Sequence, residues 1–316
     1  VLARFSAILE LLGLSPIICD SARIMLRKTL IVVSLILAPL LGLLAVALRD
    51  NPGRAVVGKR QIATGRVGEV HYFVNGDSAG EPIVLFPSFG RGAADFNELV
   101  AALSAAGHRT LAVQPRGIDG SELPDMEIGL GDYGDDIAAV LDAERIEAPV
   151  VVLGHAFGNR VARAFAQNHP DRVARLILLA AGGRVPMPEK QQGNLLKALL
   201  PVFPEEMRRE AIAEAFFAAG NRVPQEWMRG WYSVAGFGEG GATASTPYAA
   251  WGAGGGVPIL VIDATEDRIA HGAGAALAAE FPARVEVVAL SGAGHAMLPE
   301  RPEELARIVI ESFAGR

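Results

Sequence analysis

The sequence predicts an α/β fold built on a mostly parallel, doubly wound sheet with an inserted helical cap, and three observations carry that expectation. Eight short runs are strand-like, at 61–66, 69–74, 82–87, 109–115, 149–153, 175–181, 258–263 and 285–290. Several, such as PVVVL and RLILLAA, are continuously apolar rather than alternating, the pattern of strands buried on both faces. Amphipathic stretches such as AADFNELVAALSAAG (93–107) and DYGDDIAAVLDAERI (132–146) separate most of them, as crossover helices do in a parallel sheet. Finally, 51% of the 316 residues are hydrophobic and 20% charged, enough apolar side chain for a sizeable core.

Taken in order, the elements begin with an apolar segment. Arg27 and Lys28 precede TLIVVSLILAPLLGLLAVAL (29–48), which carries no charge and ends at Arg49. A basic flank, an apolar run and the small-x-small triplet Ala45-Val46-Ala47 describe an export signal. The same about 20 apolar residues would also span a bilayer as an uncleaved anchor. Residues 1–48 are therefore expected to be a signal peptide or membrane anchor, and the protein exported (periplasmic or extracellular) or anchored through residues 29–48. The sequence begins with Val1, and a start at Met25 would give the compact signal MLRKTLIVV. Polar RDNPGRAVVGKR (49–60) reads as a linker, and 61–316 as the α/β domain. At about 184–256 the alternation breaks into helical stretches and a Gly-rich tract, best read as a cap with a flexible return. Trp227, Trp231, Tyr232 and Trp251 fall there; they either pack the cap or line an apolar substrate pocket.

Composition excludes several functions. The net charge is −6 with no basic stripe, which argues against a nucleic-acid partner. A single cysteine, Cys19, forms no intramolecular disulfide and no thiolate metal cage. His71, His108, His169 and His271 show no mutual ligand spacing, so no metal is expected. Gly236 to Gly241 lacks the strand-turn-helix context of a phosphate loop, and no cofactor is expected.

Four motifs bear on chemistry: FPSFGRGAADF (86–96) after a strand, QPRGIDGS (114–121), GHAFG (154–158), and the pair VIDATEDRIA (261–270) with LSGAGHAMLPERPEEL (290–305). In this order they resemble the α/β-hydrolase family over about residues 60 to 316. The resemblance has departures. Pro87 and Ser88 stand where the family usually has His-Gly, Gln114 and Asp119 depart from its Asp-x-Arg-Gly-x-Gly-x-Ser loop, and Ala156 occupies the place of the nucleophilic serine.

The resemblance implies a role for each matching position. His295 would be the general base and Asp267 would fix its tautomer, with Asp263 and Glu266 as neighbouring alternatives. The backbone amides of Phe89 and Phe157 would form the oxyanion hole. Gly154 and Gly158 answer the crowding of a strand-to-helix elbow. His155 is expected to point away and pack. Ser88 either reaches His295 or satisfies nearby backbone.

Ala156 leaves three readings open: an introduced Ser→Ala exchange, a serine-less enzyme working through a His–Asp pair, or a ligand-binding scaffold without turnover. The leading expectation is hydrolysis of a small apolar ester or other carbonyl compound, membrane contact being confined to the N-terminal segment. The alternatives are a catalytically inactive binding protein, or cofactor-free lyase- or oxygenase-type acid–base chemistry.

Overall fold

A computed structural model of the chain describes residues 16–47, 49, 51–123 and 127–314; Val1 and the rest of the segment before Pro16 lie outside them. The chain divides into two units, 1–48 and 49–316. In the first, helix α1 (Pro16–Ala47) contains the stretch Arg27–Val46, with mean hydropathy 2.7 and no buried residue, long and apolar enough to cross a membrane. Pro39 sits inside this helix.

The second unit is an eight-stranded sheet: β1 (Lys59–Gly65), β2 (Gly68–Asn75), β3 (Pro82–Phe86), β4 (Arg109–Val113), β5 (Val150–His155), β6 (Val173–Leu179), β7 (Ile259–Ala264) and β8 (Val285–Leu290), in the order β1-β2-β4-β3-β5-β6-β7-β8. The pairs β1·β2 and β2·β4 are antiparallel and all others parallel. Every expected strand forms; the central ones are legible because a strand covered on both faces needs apolar residues at successive positions. Along β3, Val84 and Phe86 enter one core layer with α3 (Leu130–Ala143) and α4 (Phe157–Asn168). Ile83 and Leu85 enter the other, with α2 (Asn97–Ala105) and α10 (Pro302–Ala314). The edge strands β1 and β8 are largely exposed, and β1 presents Lys59 and Arg60 there, which discourages pairing with another chain.

The order reverses direction around β3, and the strands following it deliver their carboxyl ends to one side of the sheet. In α/β sheets that is where ligands bind. Over that edge lie α5 (Glu189–Leu199), α6 (Glu205–Phe216) and α7 (Ser233–Ser245), inserted between β6 and β7.

Two sequence expectations change here. The Gly-rich return is not wholly irregular, since residues 233–245 are helical. Each glycine costs about 1 kcal/mol in a helix relative to alanine. At Gly236 that cost accompanies a close approach: a Cβ there would lie 3.0 Å from Leu199 and 3.2 Å from the Phe89 ring. The expected linker is also tied down. Asn51 pairs with Trp231, its side chain donates to the Met228 carbonyl at 3.0 Å, and Gly230 N–H donates to the Asn51 carbonyl at 2.7 Å. Lys59 and Arg60 already belong to β1.

Candidate functional site

Ala156 occupies the turn between β5 and α4 with φ 50° and ψ −101°, a region costly for a residue with a Cβ, at about 1–3 kcal/mol. Its neighbours over-determine that conformation. The Ala156 N–H donates to the Leu179 carbonyl at 2.9 Å, and its carbonyl accepts from the Asn159 N–H at 3.2 Å and from the Asn159 side chain. A Cβ on Gly154 would strike the Gly158 carbonyl, and one on Gly158 the Phe86 carbonyl. This tight packing of helix on strand is why both must be glycine. Phe157 opens α4, so its N–H is among those without an intrahelical acceptor.

The turn between β7 and α8 (Ala273–Glu280) carries Asp267, and the turn between β8 and the short helix α9 (Met297–Glu300) carries His295. Both are 4% exposed, and His295 Nδ1 lies 2.9 Å from Asp267 Oδ2. Oδ1 of Asp267 accepts from the amides of Ile269 and Ala270 at 2.7 and 2.8 Å. Burial alone would push this carboxyl up. The charge and hydrogen bond of His295, with the two amides, outweigh it and hold Asp267 below the usual carboxylate range. A carboxylate on Nδ1 leaves Nε2 as the free ring nitrogen. The alternatives to Asp267 are engaged elsewhere: Asp263 accepts from Gly274 N–H and Glu266 from Ala219 N–H.

The backbone of His295 is braced from both sides. His155, fully buried and absent from the cavity wall, sets Nε2 2.9 Å from the His295 carbonyl. Burial first, then the neighbouring imidazole, pushes His155 down to about 4, so it is neutral at pH 7 and Nε2 carries the donated proton. Glu300 accepts from Gly294 and Ala218 N–H, both at 2.7 Å, tying the turn to the end of α6.

Ser88, Phe89, Ala156, Phe157 and His295 all line one open cavity, whose remaining wall includes Phe216 and Leu195 of the inserted helices. Ser88 is 4% exposed, and its hydroxyl makes no hydrogen bond among the described residues. The same holds for the Phe89 amide. The three aromatic candidates Trp227, Trp231 and Tyr232 do not line this cavity. Trp227 and Trp231 pack with Phe216 and Phe217 in a core of their own, and the Arg91 guanidinium stacks over both rings at 4.4 and 4.7 Å. The stacked Arg91 binds Asp95 and the Arg229 carbonyl, while Tyr232 N–H donates to the Gly90 carbonyl at 2.9 Å. These residues therefore hold the segment after β3 in place. Gln114 and Asp119 contribute to the same support: Gln114 accepts from Ala93 N–H and donates to Asp119, which also accepts from Tyr232 Oη.

Sequence reading passed over Glu239. It is fully buried on α7, and its Oε2 accepts from Gly90 N–H at 2.6 Å, next to the Phe89 amide. Its other oxygen has no partner among the described residues. Burial pushes this carboxyl well above its ordinary 4.5, against the weaker pull of the Gly90 amide. A folded-state value raised in this way adds stability that is fully present below about pH 4.5 and lost as pH rises toward the folded value. Glu239→Gln keeps the oxygen acceptor without titrating. The gain in melting temperature of this variant over the parent is therefore expected to be larger at pH 8 than at pH 5. A pH-independent difference in paired thermal melts would contradict that assignment.

Among the described residues, no three His, Cys, Asp or Glu side chains converge as metal ligands. Residues 83–308 match the family model described as alpha/beta hydrolase family. The chain belongs to the alpha/beta hydrolase family. Within it, the chain is 32% identical over 156 residues to a 2-hydroxymuconate semialdehyde hydrolase of Pseudomonas sp. (strain CF600), covering 48% of this chain and 53% of that protein. It is 26% identical over 257 residues to a non-heme chloroperoxidase of Streptomyces lividans, covering 73% and 90%. Among solved structures it is similar to the enol-lactonase of Burkholderia xenovorans LB400, with TM-score 0.68 and 25% identity over 80% of this chain and 100% of that one. The chain spans about half the length of the curated relatives it matches over their shorter segments, 42% and 53% for two of them.

Proposed function

We propose that this alpha/beta hydrolase cleaves a small carbonyl compound with an apolar body, an ester being the simplest case, by acid–base chemistry centred on His295. The observation that carries the reading is the buried His295–Asp267 pair, 2.9 Å apart, whose histidine lines a cavity together with Ala156. With a methyl group at position 156 no acyl-enzyme forms there. His295 Nε2 instead takes a proton from a water that attacks the carbonyl carbon, and Asp267 stabilises the resulting imidazolium. The amides of Phe89 and Phe157 receive the negative charge that develops on the carbonyl oxygen. Collapse of the tetrahedral species breaks the bond to the leaving alkoxide, which recovers the proton from His295.

The second reading is a ligand-binding protein without turnover, favoured by Ala156 itself. A panel of simple esters, incubated with the parent chain and with its His295→Gln and Ala156→Ser variants, separates the two. Product from the parent that disappears in His295→Gln supports hydrolysis. Ligand binding with no product from the parent under prolonged incubation overturns it.

We also propose that residues 29–48 direct export or hold the protein at a membrane, on the strength of the exposed apolar stretch Arg27–Val46. The expected result is that the full chain pellets with membranes after a high-salt wash, or is found outside the cytoplasm shortened at its N-terminus. A full-length chain in the cytosolic supernatant would refute this.

A further inference from the structure

The cavity wall carries a charge that the chemistry above does not use. Arg160 lies four residues beyond Ala156 on α4, hence on the same helix face one turn further along, and lines the cavity with His295. Its guanidinium has five N–H donors, yet among the described residues no carboxylate or carbonyl accepts from them. Its Cζ lies 5.9 Å from the centroid of the Trp251 ring, and a Cβ built on Gly183 would come within 3.4 Å of its Nε. A cation over a ring at this distance gives up none of its N–H groups to an acceptor.

The other arginines of the interior are not left this way. Arg91 binds Asp95, Arg116 binds Asp136, Arg163 donates to the Gly252 carbonyl and Tyr248 Oη, and Arg208 donates to the Ala198 carbonyl. The surroundings of Arg160 are also short of negative charge. Arg163 is its near neighbour, and burial followed by the Arg163 charge lowers Arg160 from its ordinary value. Glu280, the acid of that region, is engaged by Arg184 and by Tyr248 Oη. A half-buried cation with no acid partner among the described residues, on the wall of a largely apolar cavity, is a ready site for the planar, bidentate binding of a carboxylate.

We propose that Arg160 binds a carboxylate on the ligand, so that the substrate of this cavity is an apolar molecule with a free carboxylate at one end rather than a neutral ester. The assignment rests on the cavity being the substrate site, as proposed above. It makes Arg160 a specificity residue. The carboxylate is anchored at Arg160 and the apolar body lies along the wall, which presents a carbonyl further along the molecule to His295.

The test is calorimetric titration of the full chain in mild detergent with hexanoate and phenylacetate, each against its neutral amide. Hydrogen bonds to a charged partner predict that the carboxylates bind at least about tenfold more tightly than the amides. Arg160→Gln is expected to erase that preference and Arg160→Lys to keep part of it. Equal binding of acid and amide by the parent chain, a preference that survives in Arg160→Gln, or no binding of either would overturn the proposal, the first and last without reliance on any variant. Ester turnover is scored separately. A carboxylate preference without turnover removes the hydrolase reading and leaves Arg160 assigned. Turnover of neutral esters with no such preference does the reverse.

Discussion

Replacing His295 by Gln is expected to lower ester turnover by about 10²- to 10⁴-fold, the usual contribution of a positioned general base. The fold should survive, because the glutamine amide still offers a donor toward the buried Asp267 carboxylate and the backbone brace from His155 to the residue-295 carbonyl is untouched. Steady-state rates with circular dichroism on the same preparations check both halves. Ser88→Ala is the companion measurement, since Ser88 shares the cavity wall with His295. A water route predicts a small effect at Ser88, whereas a covalent route through its hydroxyl predicts a loss as large as that at His295. If His295→Gln turns over at the parental rate, the His295–Asp267 pair is not the base.

The opposite change is expected at position 156. Ala156 already holds the strained backbone of the elbow, at φ 50°, so Ala156→Ser adds one oxygen to a Cβ whose conformational cost is already present. The new hydroxyl would enter the cavity that holds His295, with the Phe157 amide adjoining. Turnover of simple esters should rise by about 10³-fold or more, given how much a serine nucleophile carries in enzymes of this chemistry. The rise should be accompanied by a burst of alcohol equivalent to one acyl group per site. A serine form with neither gain nor burst would mean that the cavity does not present esters to position 156, and would favour non-ester chemistry or binding.

Both expectations depend on features of very different legibility in the sequence. Continuous apolar runs were enough to place the central strands β3 to β7, because burial on both faces of a parallel sheet leaves that signature whatever the surroundings. The spacing of GHAFG and the Asp267 and His295 segments was equally local. Each is a strand end followed by a tight turn, and glycine is written into the sequence wherever backbone meets backbone, as at Gly154 and Gly158.

Contacts between distant segments left no comparable mark. The Gly-rich tract read as irregular because glycine disfavours helices when considered alone; Leu199 and Phe89 packing close against Gly236 are contributions of other parts of the chain. Composition could not say which side of the insertion the tryptophans face, and Arg91, more than a hundred residues away in sequence, draws Trp227 and Trp231 into stacking away from the cavity.

By itself, then, the sequence determined the sheet, the order of the motifs, the apolar N-terminal segment and the absence of a hydroxyl at position 156. Only the tertiary structure decided which carboxylate meets His295, that Glu239 carries the Gly90 amide, and that Arg160 stands on the cavity wall with no acid partner among the described residues. The physical reason is one of range. Burial periodicity and backbone crowding at turns act between near neighbours and are written locally. Charge pairing, and the want of a partner for a charge, depend on which distant side chains the fold brings together.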